Sequence, residues 1–259
     1  MKSLKILVVG NSFADDTMTF APDIALALGV KSIRFAYLYM GGCSINMHYE
    51  NATGDLPSYN YYTSTGDGWH IERGYKSSDA IRSDDWDYIA IQHGTKDGSR
   101  YSSAESYEKL TPLINYIKAL APQAKIVFNL TWVGEPTRNH HEILSYGGDV
   151  ATMRRNIEKV TAQVILGNPP VDILTPTGTA IENARTSSRI GILTRDGFHL
   201  SLDKGRYIAA LTFIGKITGL PLDGITWTPE GVDEYCRLVA IESAKNAIKS
   251  PLEITRSAL

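Results

Sequence analysis

Lys5-Ile6-Leu7-Val8-Val9-Gly10-Asn11-Ser12-Phe13 carries the first decision about the fold. Its apolar run is unbroken and ends in a glycine and an asparagine, the pattern of a short strand buried on both faces. Runs of the same kind recur at residues 33–39, 86–92, 125–131 and 171–175. Between them the apolar period lengthens. Residues 103–120 place Leu110, Leu113, Ile114, Ile117 and Leu120 at steps of three and four, and residues 149–166 repeat this with Met153, Ile157, Val160, Val164 and Ile165. Strands that alternate with helices of this length predict a parallel sheet covered on both faces. The expected fold is a three-layer α/β/α sandwich, a flavodoxin-like doubly wound sheet of about five strands.

Two helices are predicted to close the chain. The first follows Ser201 as its N-cap, carries Tyr207, Leu211, Ile214 and Ile217, and stops near Gly219. The second starts at Thr228, with Pro229 in its first position, and runs to about Lys249. No repeat, low-complexity tract or linker interrupts the chain, so residues 1–259 read as a single domain. Residues 44–80 fit the alternation poorly and read as an irregular insertion rich in tyrosine, with a hairpin turn at 64–68. A second irregular stretch covers 132–148. Both should emerge at the carboxyl ends of strands, where open α/β sheets bind ligands, and are candidate substrate walls. Tyr49, Tyr59, Tyr61, Tyr62, Trp69 and Tyr75 read equally as a surface that stacks on sugar rings or as a satellite core under a long loop.

Of the 259 residues 43% are hydrophobic and 21% charged, with a formal net charge of -2, an ordinary globular composition. A chain of this length buries enough surface to fold without a disulfide or structural metal. Cys43 and Cys236 lack metal-ligand spacing and read as free thiols. Lys and Arg are spread along the chain, so nucleic acid is not an expected partner. No run approaches the ~20 apolar residues of a membrane span, and residues 6–9 are too few for a signal-peptide core. The compartment stays open, cytoplasmic or exported with the leader absent, as does the oligomeric state.

A serine that follows a buried strand and precedes a helix stands on the carboxyl edge of the sheet, among backbone N–H groups that can hold an anion. Ser12 is such a serine, although a residue that only shapes the turn or caps the helix would be placed there too. Neither G-x-G-x-x-G nor a P-loop pattern follows any strand, which argues against a nucleotide site. The second element is Asp196-Gly197-Phe198-His199. A serine hydroxyl needs a base to take its proton, and the base needs a carboxylate to orient it. Among the six histidines only His199 has a carboxylate at this spacing directly before a predicted helix.

These residues together resemble the SGNH, or GDSL-like, hydrolase family. Ser12 matches the nucleophile after the first strand, Gly42 in Met40-Gly41-Gly42-Cys43-Ser44 the glycine after the second, and Asp196 with His199 the D-x-x-H block near the C-terminus. The resemblance implies Ser12 as nucleophile, His199 as base, Asp196 as orienter, and the N–H groups of Ser12 and Gly42 as oxyanion donors, with no cofactor and no metal. Two departures stand out. Asn11 replaces the family's Asp beside the nucleophile, a mild change because that Asp lies outside the triad. Gln92-His93-Gly94-Thr95-Lys96-Asp97 puts Lys96 where the family has Asn, so the third oxyanion donor falls to Gln92, with His93 and Lys96 as alternatives. His93, Lys96 and Trp132 are the expected substrate contacts. The blocks look like an SGNH subgroup related in style to carbohydrate acetylesterases, which implies a serine esterase without fixing its substrate; the candidate walls are polar and aromatic and lack the long apolar groove a lipid chain would need, which points to a short acyl ester, acetyl above all, on a sugar. Two other readings stay open: a degenerate scaffold that binds glycan without turnover, motivated by Lys96, and a lipase or acyltransferase on the same triad.

Overall fold

The computed structural model describes residues 2–93, 104–135, 147–167 and 170–259. The fold is α/β, with a mainly parallel central sheet and flanking helices. Among the described residues the sheet contains β1 (Ser3–Gly10), β2 (Ser32–Tyr39), β3 (Tyr59–Ser64), β4 (His70–Tyr75), β5 (Tyr88–Ile91), β6 (Lys125–Asn129) and β7 (Ile173–Thr175). Their order is β4-β3-β2-β1-β5-β6-β7. β1 is parallel to β2 and to β5, and β5 to β6. Each of the five apolar runs in the sequence forms a strand, and β2-β1-β5-β6-β7 is the doubly wound order, in which the winding reverses beside β1.

The count of about five falls short by two because residues 44–80 are regular. Helix α3 (Ile45–Thr53) is capped by Ser44, whose Oγ accepts from the Met47 N–H at 3.2 Å. The hairpin β3–β4 then pairs antiparallel onto the free side of β2. Its turn is where the sequence places it: Gly66 and Gly68 have φ of 102° and 104°, and Thr65 donates to Asp67 Oδ1 through both N and Oγ1. Tyrosine on both faces hides the strand period from view. Tyr61 stacks on Tyr75 at 4.4 Å on one side, while Tyr62 stacks on Tyr37 at 4.4 Å on the other.

The chain groups into two compact units, both discontinuous in sequence. The first comprises Met1–Asp15, Val30–Phe128 and Asn156–Leu174. In it α3 packs on α5 (Leu110–Leu120), whose Leu110, Leu113, Ile114 and Ile117 are buried as their spacing predicts. The short α4 (Ser77–Arg82) also packs on α5.

The second unit comprises Asp16–Gly29, Asn129–Arg155 and Thr175–Leu259. Here α2 (Ala21–Ala27) packs on α8 (Lys204–Thr218), and α9 (Glu234–Lys249) packs on both α8 and α7 (Thr177–Arg185). α8 ends at Gly219 in the left-handed conformation, as its sequence predicts. α9 starts later than Thr228. Pro229 opens only a turn, closed by the Val232 N–H on the Pro229 carbonyl at 3.2 Å. Gly231, at φ 84°, breaks it, and Asp233 caps the helix by accepting from Cys236 N at 2.8 Å. α6 (Val150–Val160) begins in this unit and continues, in residues that belong to the first, into a π-turn at Thr161–Ile165. This shift of register buries Ile165 and leaves Val164 half-exposed. Among the described residues no helix is long and apolar enough to cross a membrane.

Candidate active site

Ser12 opens α1 (Ser12–Met18) one residue beyond β1, and is half-buried. The strand has to end in glycine because a Cβ on Gly10 would lie 2.6 Å from Ala14 Cβ. Asn11, only 1% exposed, ties this edge together. Its Nδ2 donates to the carbonyls of Cys43 at 3.0 Å and His93 at 2.9 Å. Its Oδ1 accepts from Phe13 N at 3.0 Å and from Gln92 Nε2 at 2.9 Å. One side chain thus joins the ends of β1, β2 and β5, where the winding reverses. An amide can do this because it offers two donors and an oxygen with two lone pairs, whereas a carboxylate offers no donor. Asn in place of Asp is therefore not a mild change in this chain.

The loop after β2 is set by Gly42, whose φ of 66° is left-handed. The Cys43 N–H closes the turn on the Met40 carbonyl at 3.1 Å, and Met40 N donates to the Gly10 carbonyl at 3.2 Å. Beneath it the Cys43 thiol lies 3.4 Å from His48 Nδ1, which also bonds the Tyr59 hydroxyl at 2.8 Å. All three are buried. Burial drives His48 down to about 3 and pushes the Tyr59 phenol far up, so both are neutral.

In the second unit, Asp196 Oδ2 accepts from His199 Nδ1 at 2.6 Å, and Asp196 Oδ1 accepts from the N–H groups of Phe198 at 2.9 Å and His199 at 2.7 Å. Burial pushes the Asp196 carboxyl up, but the His199 bond and the two backbone bonds outweigh it and hold it at about 2. The group is an anion at neutral pH. Because a carboxylate only accepts, Nδ1 carries the imidazole proton and Nε2 keeps the basic lone pair.

This loop is held from several sides. Arg195 N donates to the His199 carbonyl at 2.9 Å, and Thr194 pairs with Leu200 as an isolated bridge. The Gly197 carbonyl accepts from Glu135 N at 2.8 Å, and the Phe198 carbonyl from Trp132 Nε1 at 2.8 Å. Asp16, fully buried on α1, takes Arg195 Nη1, Arg206 Nε and the Leu200 N–H, each at 2.8 Å. Sequence reading missed Asp16 and Glu135; the one signal for Asp16 was an acidic residue one helical turn beyond Ser12.

Several expected site residues are placed otherwise. Trp132, an expected substrate contact, is fully buried and donates to the Phe198 carbonyl. His93, an expected substrate contact, is 3% exposed, packs edge-on to Phe13 at 5.7 Å, and is driven by burial to about 3, so it is neutral. Gln92 is fully buried with its amide turned onto Asn11, so its first role is to orient Asn11. Lys96 lies outside the described residues. Among the described residues no cluster of His, Cys, Asp and Glu has the makings of a metal site.

The fold is the α/β fold, built on a mainly parallel sheet, that SGNH and GDSL-like hydrolases share. A candidate SGNH hydrolase from Slackia heliotrinireducens superposes with a TM-score of 0.53 at 19% identity, covering 82% of this chain and 98% of that one. A catalytic mutant of an acetylxylan esterase from Geobacillus stearothermophilus gives 0.51 at 12% identity, with coverage of 89% and 99%. At these identities the likeness is one of fold. The chain itself belongs to the family described as "Domain of unknown function (DUF4886)", whose model matches residues 5–247. The crystal structure of a DUF4886 family protein from Bacteroides uniformis ATCC 8492 is similar with a TM-score of 0.90 at 30% identity, over 98% of each chain. No curated protein matches the chain.

Proposed function

We propose that the protein is a serine esterase acting through an acyl-enzyme on short acyl esters, acetyl esters of carbohydrates above all. The observation that carries this reading is the Asp196–His199 pair: a 2.6 Å hydrogen bond to a carboxylate held at about 2 fixes the imidazole with Nε2 as the basic nitrogen. In the proposed reaction Ser12 Oγ gives its proton to His199 Nε2 and bonds the ester carbonyl carbon. The carbonyl electrons move to oxygen, held by the N–H groups of Ser12 and Gly42, each such donor contributing roughly 3 kcal/mol. The alcohol leaves with the proton from His199. Water, activated by the same nitrogen, then releases the acid and restores Ser12. No step calls for a cofactor.

The test is hydrolysis of 4-nitrophenyl acetate by the protein and by Ser12→Ala, with fluorophosphonate labelling of both. Turnover and labelling are expected of the protein and neither of the variant. Equal rates for the two would overturn the mechanism, and an unlabelled Ser12 without turnover would favour a glycan-binding scaffold.

A further inference from the structure

With Trp132 and His93 buried, the alcohol half of an ester needs another seat. We propose that Tyr39, Tyr62 and Trp69 form a sugar-stacking surface on one face of the sheet, with Asp15 and Arg73 as hydrogen-bonding partners for ring hydroxyls. This rests on the esterase reading and names its substrate class as a neutral pyranoside glycan.

The register builds the surface. Tyr37 stands directly opposite Tyr62, and Tyr39 opposite Asn60, which in turn faces Arg73 across β3 and β4. These side chains therefore share one face. Tyr37 is the buried base, 3% exposed. Tyr62 stacks on it at 4.4 Å and 3°, Trp69 meets its edge at 5.0 Å and 74°, and Tyr39 meets the edge of Tyr62 at 6.3 Å and 76°. Tyr39, Tyr62 and Trp69 are only half-buried. The opposite face of the same hairpin is different: Tyr61 is 2% exposed, stacks on Tyr75 and bonds Ser83 Oγ at 3.1 Å. One face is core and the other is a surface.

The polar groups match a sugar. Asp15 Oδ1 accepts from the Tyr37 hydroxyl at 2.9 Å. Burial and the Asp15 charge raise the Tyr62 phenol while the Arg73 charge lowers it, so charges of both signs act on that hydroxyl. A pyranose offers an apolar C–H face to stacked rings and adjacent hydroxyls to such groups. A lipid chain would need an apolar trough without this charged rim. The strip also reaches the proposed chemistry: a Cβ on Gly41 would lie 3.6 Å from the Tyr39 hydroxyl, and Gly41 adjoins Gly42.

The experiment compares the protein with Trp69→Ala, Tyr62→Ala and the charge-removing Asp15→Asn. Binding of xylohexaose, cellohexaose and mannohexaose is measured by calorimetry, and hydrolysis is measured on acetylated xylo-oligosaccharide and on 4-nitrophenyl acetate. At least one hexaose is expected to bind, and Trp69→Ala and Tyr62→Ala to lose at least tenfold in that affinity. The same variants should lose at least tenfold more in KM for the sugar ester than for 4-nitrophenyl acetate. Asp15→Asn, which keeps the aromatic face, is expected to lose affinity by a smaller factor. Turnover of 4-nitrophenyl acetate with no hexaose bound, or equal losses on both esters, overturns the sugar surface. Hexaose binding that depends on Trp69, without any ester turnover, sustains the surface and sinks the esterase reading.

Discussion

Asp16 accepts a 2.8 Å hydrogen bond from Arg195, a residue 179 positions further along the chain and next to Asp196. The same carboxylate, with no solvent exposure, takes Arg206 and the Leu200 N–H at 2.8 Å each. Removing one member of a buried ion pair leaves the others uncompensated and typically costs roughly 3–5 kcal/mol. Asp16→Asn is therefore expected to destabilise the protein by an amount of this order in urea unfolding. It should also speed hydrogen exchange at Leu200 and lower kcat on 4-nitrophenyl acetate more than it raises KM. Wild-type stability and exchange would mean that Asp16 does not hold the loop.

Asn11→Asp is nearly isosteric and should nevertheless be severe. It would set a carboxylate oxygen against the carbonyls of Cys43 and His93, which now accept at 3.0 and 2.9 Å. A buried acceptor left without its donor costs about 1–3 kcal/mol, and here two are lost. The expected result is a loss of several kcal/mol at pH 7, on the scale of about 1–3 per group, that shrinks as the pH falls and the new carboxyl takes up a proton. A variant as stable as the parent at pH 7 would show that the two donated bonds contribute little.

How far the sequence could be read follows from which forces act locally. The apolar runs at residues 5–10 and 33–39 announced β1 and β2 because full burial leaves an unbroken hydrophobic signature. Gly219 announced the end of α8 because only a residue without Cβ takes that conformation cheaply. β3 and β4 were hidden because Tyr61 and Tyr62 face opposite sides, one into core and one to a surface, which erases the polar-apolar alternation. Asp196 and His199 were legible since they lie only three positions apart. Asp16 was not, because its partners Arg195, Leu200 and Arg206 are distant in sequence and adjacent only in space. Trp132 and His93 lay beside expected loops, yet nothing local said that their rings would turn inward.

His48 and His93 make stability depend on pH. Both are buried and neutral, with protonation pushed down to about 3 from the usual 6.5. Between those values the unfolded chain binds a proton at each and the native chain does not, so stability falls as pH falls through the window. The slope is about 1.4 kcal/mol per pH unit for each histidine well inside it. Urea unfolding between pH 6 and 5 should show this decline, and His48→Gln should remove about half of the histidine share. An unchanged slope in that variant would mean that His48 is protonated in the folded protein.

Asp196→Asn separates orientation from binding. The present carboxylate accepts the Nδ1 proton of His199 at 2.6 Å and so leaves Nε2 basic. An amide can offer its N–H to Nδ1 instead, which would put the imidazole proton on Nε2 and remove the base. In a Ser-His-Asp triad this change of tautomer lowers kcat by about 10⁴. The variant is expected to lose kcat on 4-nitrophenyl acetate by roughly 10³–10⁴ with KM little altered. Since Asp196 lies at the surface, its melting temperature should move little. The loss should also shrink at high pH, where hydroxide can replace the general base in deacylation. A kcat within a few-fold of the parent would show that His199 is not oriented by Asp196 during turnover, and would remove the observation on which the esterase reading rests.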